Sequence, residues 1–194
     1  MTIAPTFAHV VFQTGQLDEM QDWYCKLLDA HVVFEGHGLS FLTFDDEHHR
    51  IALAHIPGLE RKSPNAAYVN HVAYTYPSLD ALLAKFVDLE AKGIKPWQPV
   101  QHGVTTSLYY EDPDGNHIEL QVDNFATAEE ATAYMEGEEY SADPIGVKYR
   151  PELMVEARKA GVPASELQTR TWALTTSPEL PHPKDEALSA VRPQ

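Results

Sequence analysis

An internal repeat limits the architecture of this chain more than any other feature of its sequence. Residues 8–12 align without gaps with residues 70–74, and the alignment continues to Leu17 in the first copy and Leu79 in the second. In each copy a β-rich run holds a histidine, His9 in the first and His71 in the second. A pattern of apolar residues at helical spacing follows each run. Chance similarity of two amphipathic units is the alternative, but the match includes polar as well as apolar positions.

Three further strands are predicted after each helix. They span about residues 31–35, 40–44 and 50–55 in the first copy, and 95–98, 105–110 and 117–122 in the second. Glycine and aspartate clusters separate the runs, as turns require. Each copy therefore has the order β-α-β-β-β. We predict an α+β fold in which two βαβββ modules, at about residues 5–62 and 67–123, pair into one cupped β-barrel.

The second part of the chain departs from the repeat. We predict a domain over residues 1–124 and a C-terminal extension over residues 125–194. Thr127 and Glu130 have the spacing of a capping box, and Pro151 is expected to open another helix that Gly161 ends. Residues 175–194 hold four prolines and few large apolar side chains, which predicts an extended or disordered tail.

Composition excludes several classes of function. The formal net charge of −15 argues against nucleic acid and anionic membranes as partners, since both require a basic surface. No apolar run approaches the about 18 residues of a membrane span. The N-terminal residues lack the pattern of a secretory signal, so a cytoplasmic location is expected. Cys25 is the only cysteine, which excludes a disulfide framework and a cysteine-based zinc site.

Three residues are candidate metal ligands: His9, His71 and Glu119. The two histidines occupy equivalent places in the two copies, so a pseudo-twofold pairing would bring their imidazoles together. Glu119 stands between Ile118 and Leu120, and alternation along a strand points it away from these apolar neighbours. A carboxylate there is costly unless it is paired or bound to metal. The alternative is three unrelated side chains, with the histidines hydrogen-bonded in the core.

The repeat also predicts how many ligands the site has. Residues 51–53 match residues 118–120 at an offset of 67, so Ala52 takes the place of Glu119 in the first copy. Alanine cannot bind a metal ion. The site would therefore have three protein ligands and open positions. Two histidines and one carboxylate form the facial triad of non-haem iron oxygenases.

Two motifs give the chain a resemblance to a known family. One is His48 with His49 before the strand that holds Ala52. The other begins with the segment His102-Gly103-Val104-Thr105-Thr106-Ser107-Leu108-Tyr109-Tyr110 and continues through Asp112-Pro113-Asp114-Gly115-Asn116 to Glu119. With these motifs, residues 5–123 resemble the vicinal oxygen chelate superfamily of glyoxalases, bleomycin resistance proteins and dioxygenases. Within it, the chain is most similar to the single-domain type I extradiol catechol dioxygenases.

The resemblance implies extradiol (meta) cleavage of a catechol or related aromatic diol by O2, an activity of aromatic catabolism. It implies iron(II) as the metal, while manganese(II) uses a nearly identical ligand set. His9, His71 and Glu119 match the iron ligands. The substrate would be a small aromatic diol together with O2. Whether the chain forms a homodimer or a higher homo-oligomer stays open.

The resemblance also implies three catalytic side chains. His49 matches a pocket histidine near the O2 site, His102 a histidine near the substrate hydroxyl, and Tyr109 a tyrosine that hydrogen-bonds the bound catecholate. His48 competes with His49 for the first role. Strand alternation is expected to send one of these two inward, and we prefer His49.

Two other functions stay open at this stage. A lyase or isomerase of the same superfamily would bind a divalent metal and use no O2, although Ala52 argues against a four-ligand glyoxalase site in one chain. A ligand-binding resistance protein would have the fold without catalysis, but such proteins usually lack the three metal ligands. A monocyclic catechol, a biaryl diol and a larger polycyclic diol are all candidate substrates.

Overall fold

The computed structural model describes residues 4–60 and 67–184, and the chain divides into two units. Unit 1 comprises Met1–Asn70 with Glu111–Asn116, and unit 2 comprises His71–Tyr110 with His117–Gln194. The strands form one four-stranded and one five-stranded sheet, and the predicted α+β class with two βαβββ modules is confirmed. The barrel is corrected. In the described residues the strands form these two sheets and do not close into a barrel, because each module pairs its first strand with its own last strand.

The first module builds the four-stranded sheet. Its elements are β1 (Val10–Thr14), α1 (Leu17–Leu28), β2 (His31–Gly36), β3 (Leu39–Thr43) and β4 (Ile51–His55). The strand order is β1-β4-β3-β2, with β1 parallel to β4 and the other pairs antiparallel. Met20, Tyr24 and Leu27 of α1 are fully buried, at the helical spacing that the sequence predicts. Burial of each such side chain contributes about 1.5–3 kcal/mol, and this packing holds the helix in place.

The second module builds the five-stranded sheet of unit 2. Its elements are β5 (His71–Thr75), α2 (Leu79–Ala91), β6 (Gln98–Gln101), β7 (Thr105–Glu111) and β8 (His117–Asp123), and the later strand β9 (Val147–Lys148) joins it. The order is β5-β8-β7-β6-β9. The prediction for β6 was wrong by three residues. Pro96 has no N–H to donate, and pairing with β7 begins where Gln98 lies opposite Tyr109.

The strand register confirms the alignment of the two repeats. In unit 1, Val10 of β1 pairs with Ile51 of β4. In unit 2, the pair at the same place is Val72 with Ile118. These pairs reproduce the offsets of 62 and 67 that the sequence comparison gave. One residue further along, Ala52 and Glu119 therefore occupy equivalent positions on β4 and β8.

In the described residues, five short helices follow the second module. They are α3 (Ala128–Met135), α4 (Glu138–Ala142), α5 (Pro151–Lys159), α6 (Ala164–Leu167) and α7 (Arg170–Thr176). The capping box at Thr127 and Glu130 is present, and Pro151 opens α5 as predicted. In the predicted tail, residues 175 and 176 end α7, and residues 185–194 lie outside the described residues. None of the helices in the described parts of the chain is long and apolar enough to cross a membrane.

The Asp-Pro-Asp-Gly-Asn motif forms a turn in unit 1. The carboxylate of Asp112 accepts the backbone N–H groups of Asp114 and Asn116, at 3.0 and 2.7 Å. It also accepts the Asn116 side-chain amide at 2.8 Å and the buried Tyr24 hydroxyl at 3.0 Å. Gly115 has a φ of 83°, which favours glycine at this position. The motif therefore has a structural role, because its hydrogen bonds hold this turn of unit 1 in one conformation.

Candidate active site

His71 and Glu119 lie on adjacent strands of unit 2. His71 is the first residue of β5, and Glu119 lies opposite Ala73 in the parallel β5–β8 pairing. Ile118 and Leu120 on the other face of β8 are fully buried, as strand alternation predicts. Glu119 is only 4% exposed, so its carboxylate is almost completely removed from water. A buried carboxylate of this kind requires polar or positively charged partners.

The carboxylate of Glu119 has such partners in unit 2. His71 Nε2 lies 3.0 Å from Glu119 Oε2, and the hydroxyl of buried Ser107 hydrogen-bonds to the same carboxylate. Burial acts to raise the pKa of Glu119, but the hydrogen bonds from His71 and Ser107, together with electrostatic attraction to His71 and His102, lower that pKa below its ordinary value. The hydrogen bond to Glu119 raises the pKa of His71. An imidazole and a carboxylate thus meet at one point, and both are ligand types that suit iron(II) and related ions.

Tyr109 and His102 form a second pair in unit 2. The Tyr109 hydroxyl lies 3.0 Å from His102 Nε2, and the Tyr109 ring packs edge-on against His71 with ring centroids 5.4 Å apart. Burial raises the pKa of Tyr109 and the nearby Glu119 carboxylate raises it further, so the phenol keeps its proton. Burial also lowers the pKa of His102, and this favours the neutral imidazole. His102 Nδ1 lies 2.5 Å from the carbonyl oxygen of Ile145, which can only accept, so Nδ1 carries the hydrogen of the neutral ring and Nε2 accepts from the phenol.

The remaining candidates lie in unit 1. His9 is exposed and stands immediately before β1, one residue short of the predicted strand position. Its ring packs against His49 with centroids 4.3 Å apart, and His49 stacks on Phe41 at 4.6 Å. Burial and the neighbouring histidines His9 and His48 lower the pKa of His49.

The alternation argument for His48 and His49 does not apply, because both precede β4 in a segment of bends. The structure still distinguishes them. The His48 side chain is 70% exposed, whereas His49 is half-buried between aromatic rings. Its environment is the better suited to a pocket residue.

The candidates therefore form two groups, one within each unit. His9 lies with His49 in unit 1, and His71 and Glu119 lie with Tyr109 and His102 in unit 2. Within the residues that the structure describes, neither unit alone holds three grouped metal-ligating side chains. The triad with His9 stays a prediction.

Sequence reasoning missed two residues of this region. Ser107 belongs to the quoted motif, and alternation places it on the same strand face as Tyr109, so its contact with Glu119 could have been inferred. Arg170 donates to the backbone carbonyl of His102. No sequence pattern indicated this contact, because 68 residues separate its partners.

Comparisons with known proteins place the chain in a family. The model of the Glyoxalase/Bleomycin resistance protein/Dioxygenase superfamily matches residues 6–120. The biphenyl-2,3-diol 1,2-dioxygenase 2 of Rhodococcus globerulus is 56% identical over 184 residues, which are 94% of this chain and 97% of that protein. The biphenyl-2,3-diol 1,2-dioxygenase 3 of the same organism is 56% identical over 178 residues, or 91% and 94%.

A solved structure, the lactoylglutathione lyase from Agrobacterium tumefaciens, agrees in fold. Its TM-score is 0.51 at 17% identity, and the match covers 62% of this chain and 96% of that one. Identity at this level shows the fold alone. The lyase therefore gives no guide to the reaction.

The names of the Rhodococcus relatives describe extradiol chemistry, since the 1,2 bond lies beside the 2,3-diol carbons and not between them. Identity of 56% over nearly the whole chain confirms the predicted activity class and disfavours the lyase and resistance-protein alternatives. A divalent metal ion is implied by the same relatives and superfamily. The chain therefore belongs to the Glyoxalase/Bleomycin resistance protein/Dioxygenase superfamily and, within it, to the extradiol ring-cleaving dioxygenases.

Proposed function

We propose that this dioxygenase opens biphenyl-2,3-diol or a similar catechol with an aryl group beside the diol, using iron(II). The observation that carries the proposal is 56% identity over 94% of the chain to a protein named for that diol. The buried pair of His71 and Glu119 supports the metal part of the proposal, since its donor atoms suit iron(II).

His9, His71 and Glu119 would hold the metal ion. The donor set fits it: the Glu119 carboxylate is buried, its present partner is an imidazole, and a bound cation would compensate its charge more fully. When bound, iron(II) would supply a Lewis-acid centre with open positions for the diol and O2 and a path for electrons between them. Ala52, at the position equivalent to Glu119, adds no fourth ligand.

Tyr109 and His102 would receive and orient the diol. Binding requires the loss of a diol proton, and His102 can accept one because its lowered pKa keeps the imidazole neutral before the diol binds. The Tyr109 hydroxyl donates to His102 Nε2, and the same side chain lies close to the Glu119 carboxylate. Tyr109 therefore lies between the imidazole and the carboxylate. The proton can be stored on His102 and returned as the ring opens.

His49 would act on the O2 side of the site. Its ring is fixed by stacking on Phe41, and its pKa is lowered by burial and by its histidine neighbours. A neutral imidazole in a fixed orientation can donate one hydrogen bond to oxygen during the reaction. His48 would not have this role, because its side chain is exposed.

The proposed reaction balances with O2 as the oxidant. The C1–C2 bond of the aryl diol breaks, and each of these carbons gains one atom of O2. C2, which held a hydroxyl, becomes a carboxylate, and C1, which holds the aryl group, becomes a ketone. C3 keeps its hydroxyl as an enol, which retains one of the two diol protons. The other proton is released because C2 becomes a carboxylate.

Substrate preference tests the proposal. We expect kcat/KM for biphenyl-2,3-diol to exceed that for catechol by about 10- to 200-fold, because a buried phenyl ring contributes about 1.5–3 kcal/mol. The measurement is O2 uptake after anaerobic loading with iron(II), with parallel loading by manganese(II). Biphenyl-3,4-diol is the matched control, since it has the same rings with the aryl group at the other position. Equal rates for the two biphenyl diols, or a preference for catechol, would contradict the proposal.

A further inference from the structure

Arg170 in unit 2 is a buried cation at an unfavourable place in its helix. It is the first residue of α7 and only 7% exposed. A positive charge at a helix N-terminus opposes the helix dipole, so the stability of α7 does not explain this residue. Its contacts do. The guanidinium lies over the rings of Tyr134 and Tyr140, at 5.8 and 6.0 Å from the two ring centroids.

The hydrogen bonds of Arg170 lead to the candidate base. Its Nε donates to the backbone carbonyl of His102 at 3.1 Å, and its Nη2 donates to the same oxygen. Nη1 donates to the carbonyl of Glu139 at 3.2 Å. The planar fork of a guanidinium suits such paired donation, whereas a lysine would offer a single nitrogen. Arg170 of α7 thus hydrogen-bonds to the backbone of His102, whose side chain contacts Tyr109.

A second contact fixes which nitrogen of His102 carries hydrogen. His102 Nδ1 lies 2.5 Å from the carbonyl oxygen of Ile145. A carbonyl only accepts, so Nδ1 holds the hydrogen, and Nε2 of the neutral ring acts as a hydrogen-bond acceptor. That nitrogen faces the Tyr109 hydroxyl at 3.0 Å. Ile145 also belongs to the C-terminal extension.

The backbone beside His102 is held in the same way. Gly103 has a φ of 87°, and a side chain there would collide with Tyr134 of the extension. The Gly103 N–H donates to Gln101 Oε1 at 3.0 Å, and its carbonyl accepts from Asn124 Nδ2 at 2.8 Å. Gln168 then donates to Asn124 Oδ1 at 3.0 Å. The extension therefore contacts this turn from several directions.

We propose that Arg170 is a positioning residue that holds His102 with Nδ1 on Ile145 and Nε2 toward Tyr109, so that the C-terminal extension is a working part of the active site. The inference rests on the proposed role of His102 in accepting the diol proton. It gives the extension a function beyond stability. The orientation of His102 can be measured without turnover and without metal, so the two proposals can fail separately.

The test compares Arg170→Met with Arg158→Met. Arg158 lies in α5 of the same extension, and its exposed ion pair with Asp80 serves as the matched control. The ¹⁵N signals of the His102 ring, assigned by their loss in His102→Gln, report the tautomer in the metal-free protein. We expect Arg170→Met to lose the single Nδ1–H tautomer and about 10- to 100-fold in kcat. KM and iron content should stay near those of the unmodified protein, and Arg158→Met should change none of these values.

Arg170→Lys tests the same inference in a protein that keeps the buried cation. If Arg170→Met fails to fold, the lysine variant decides the outcome. An altered tautomer with reduced kcat supports the proposal. A native tautomer with native kcat overturns it, and so does an equal loss of kcat in Arg158→Met. Full activity of His102→Gln would instead refute the role of His102 and leave the tautomer result to judge Arg170 alone.

Discussion

Glu119→Gln is expected to lower kcat/KM for the diol by about 10³-fold or more and to leave the purified protein with little iron. Glutamine has nearly the same shape, but it lacks the charge that would compensate a divalent cation. Each tenfold change in kcat/KM corresponds to about 1.4 kcal/mol, so a 10³-fold loss means that several kcal/mol of electrostatic stabilisation of the bound cation are lost. Metal analysis after loading with iron(II) and initial rates of O2 uptake measure the two effects together.

Asp123→Asn is the matched control for Glu119→Gln. Asp123 ends the same strand, β8, and its side chain is exposed. The charge change is the same, but this variant should bind iron and turn over normally. Circular dichroism separates loss of metal from loss of fold. Iron binding and turnover that survive in Glu119→Gln would contradict the assignment of this carboxylate as a ligand.

His102→Ala is expected to lower kcat by about 10²- to 10⁴-fold while iron stays bound, because the variant loses the proposed proton acceptor and keeps the proposed metal ligands. His102 accepts from Tyr109, so Tyr109→Phe should produce a smaller loss in the same direction. Single-turnover rates under O2, together with iron content, measure the effect. His31→Gln, an exposed strand position in unit 1, controls for the loss of a histidine.

The pattern of losses decides what His102 does. If His102→Ala loses iron in proportion to its loss of activity, His102 is a metal ligand or holds a metal ligand in place. A full rate in His102→Ala would remove it from the proton path. Only a slow variant that retains its metal agrees with the role proposed here.

The sequence predicted the fold well where the repeat constrained it. The offset between Val10 and Val72 and the offset between Ile51 and Ile118 both reappear as strand register. A shift by one residue would turn Glu119 to the other face of β8, so the alternation of apolar neighbours was a strong constraint. β6 was misplaced because a four-residue strand that contains Pro99 has a weak pattern, and its position depends on pairing with β7.

The support around the candidate site could not be predicted in the same way. The contact of Arg170 with His102 joins residues 68 positions apart, and no periodicity links them. The bond from His102 to Ile145 depends on a backbone carbonyl, which any residue type supplies. Residue types identify ligands and bases, whereas their orientation comes from backbone atoms that a sequence does not distinguish.

Isotope incorporation tests the central claim most directly. The iron-loaded protein would be given biphenyl-2,3-diol under ¹⁸O2, and the product analysed by mass spectrometry. Extradiol cleavage predicts a yellow ring-opened product with two ¹⁸O atoms, one in the new carboxylate and one in the new ketone, and one O2 consumed for each diol. An unopened quinone without label, or a metal-loaded protein that consumes no O2 with any diol, would contradict it.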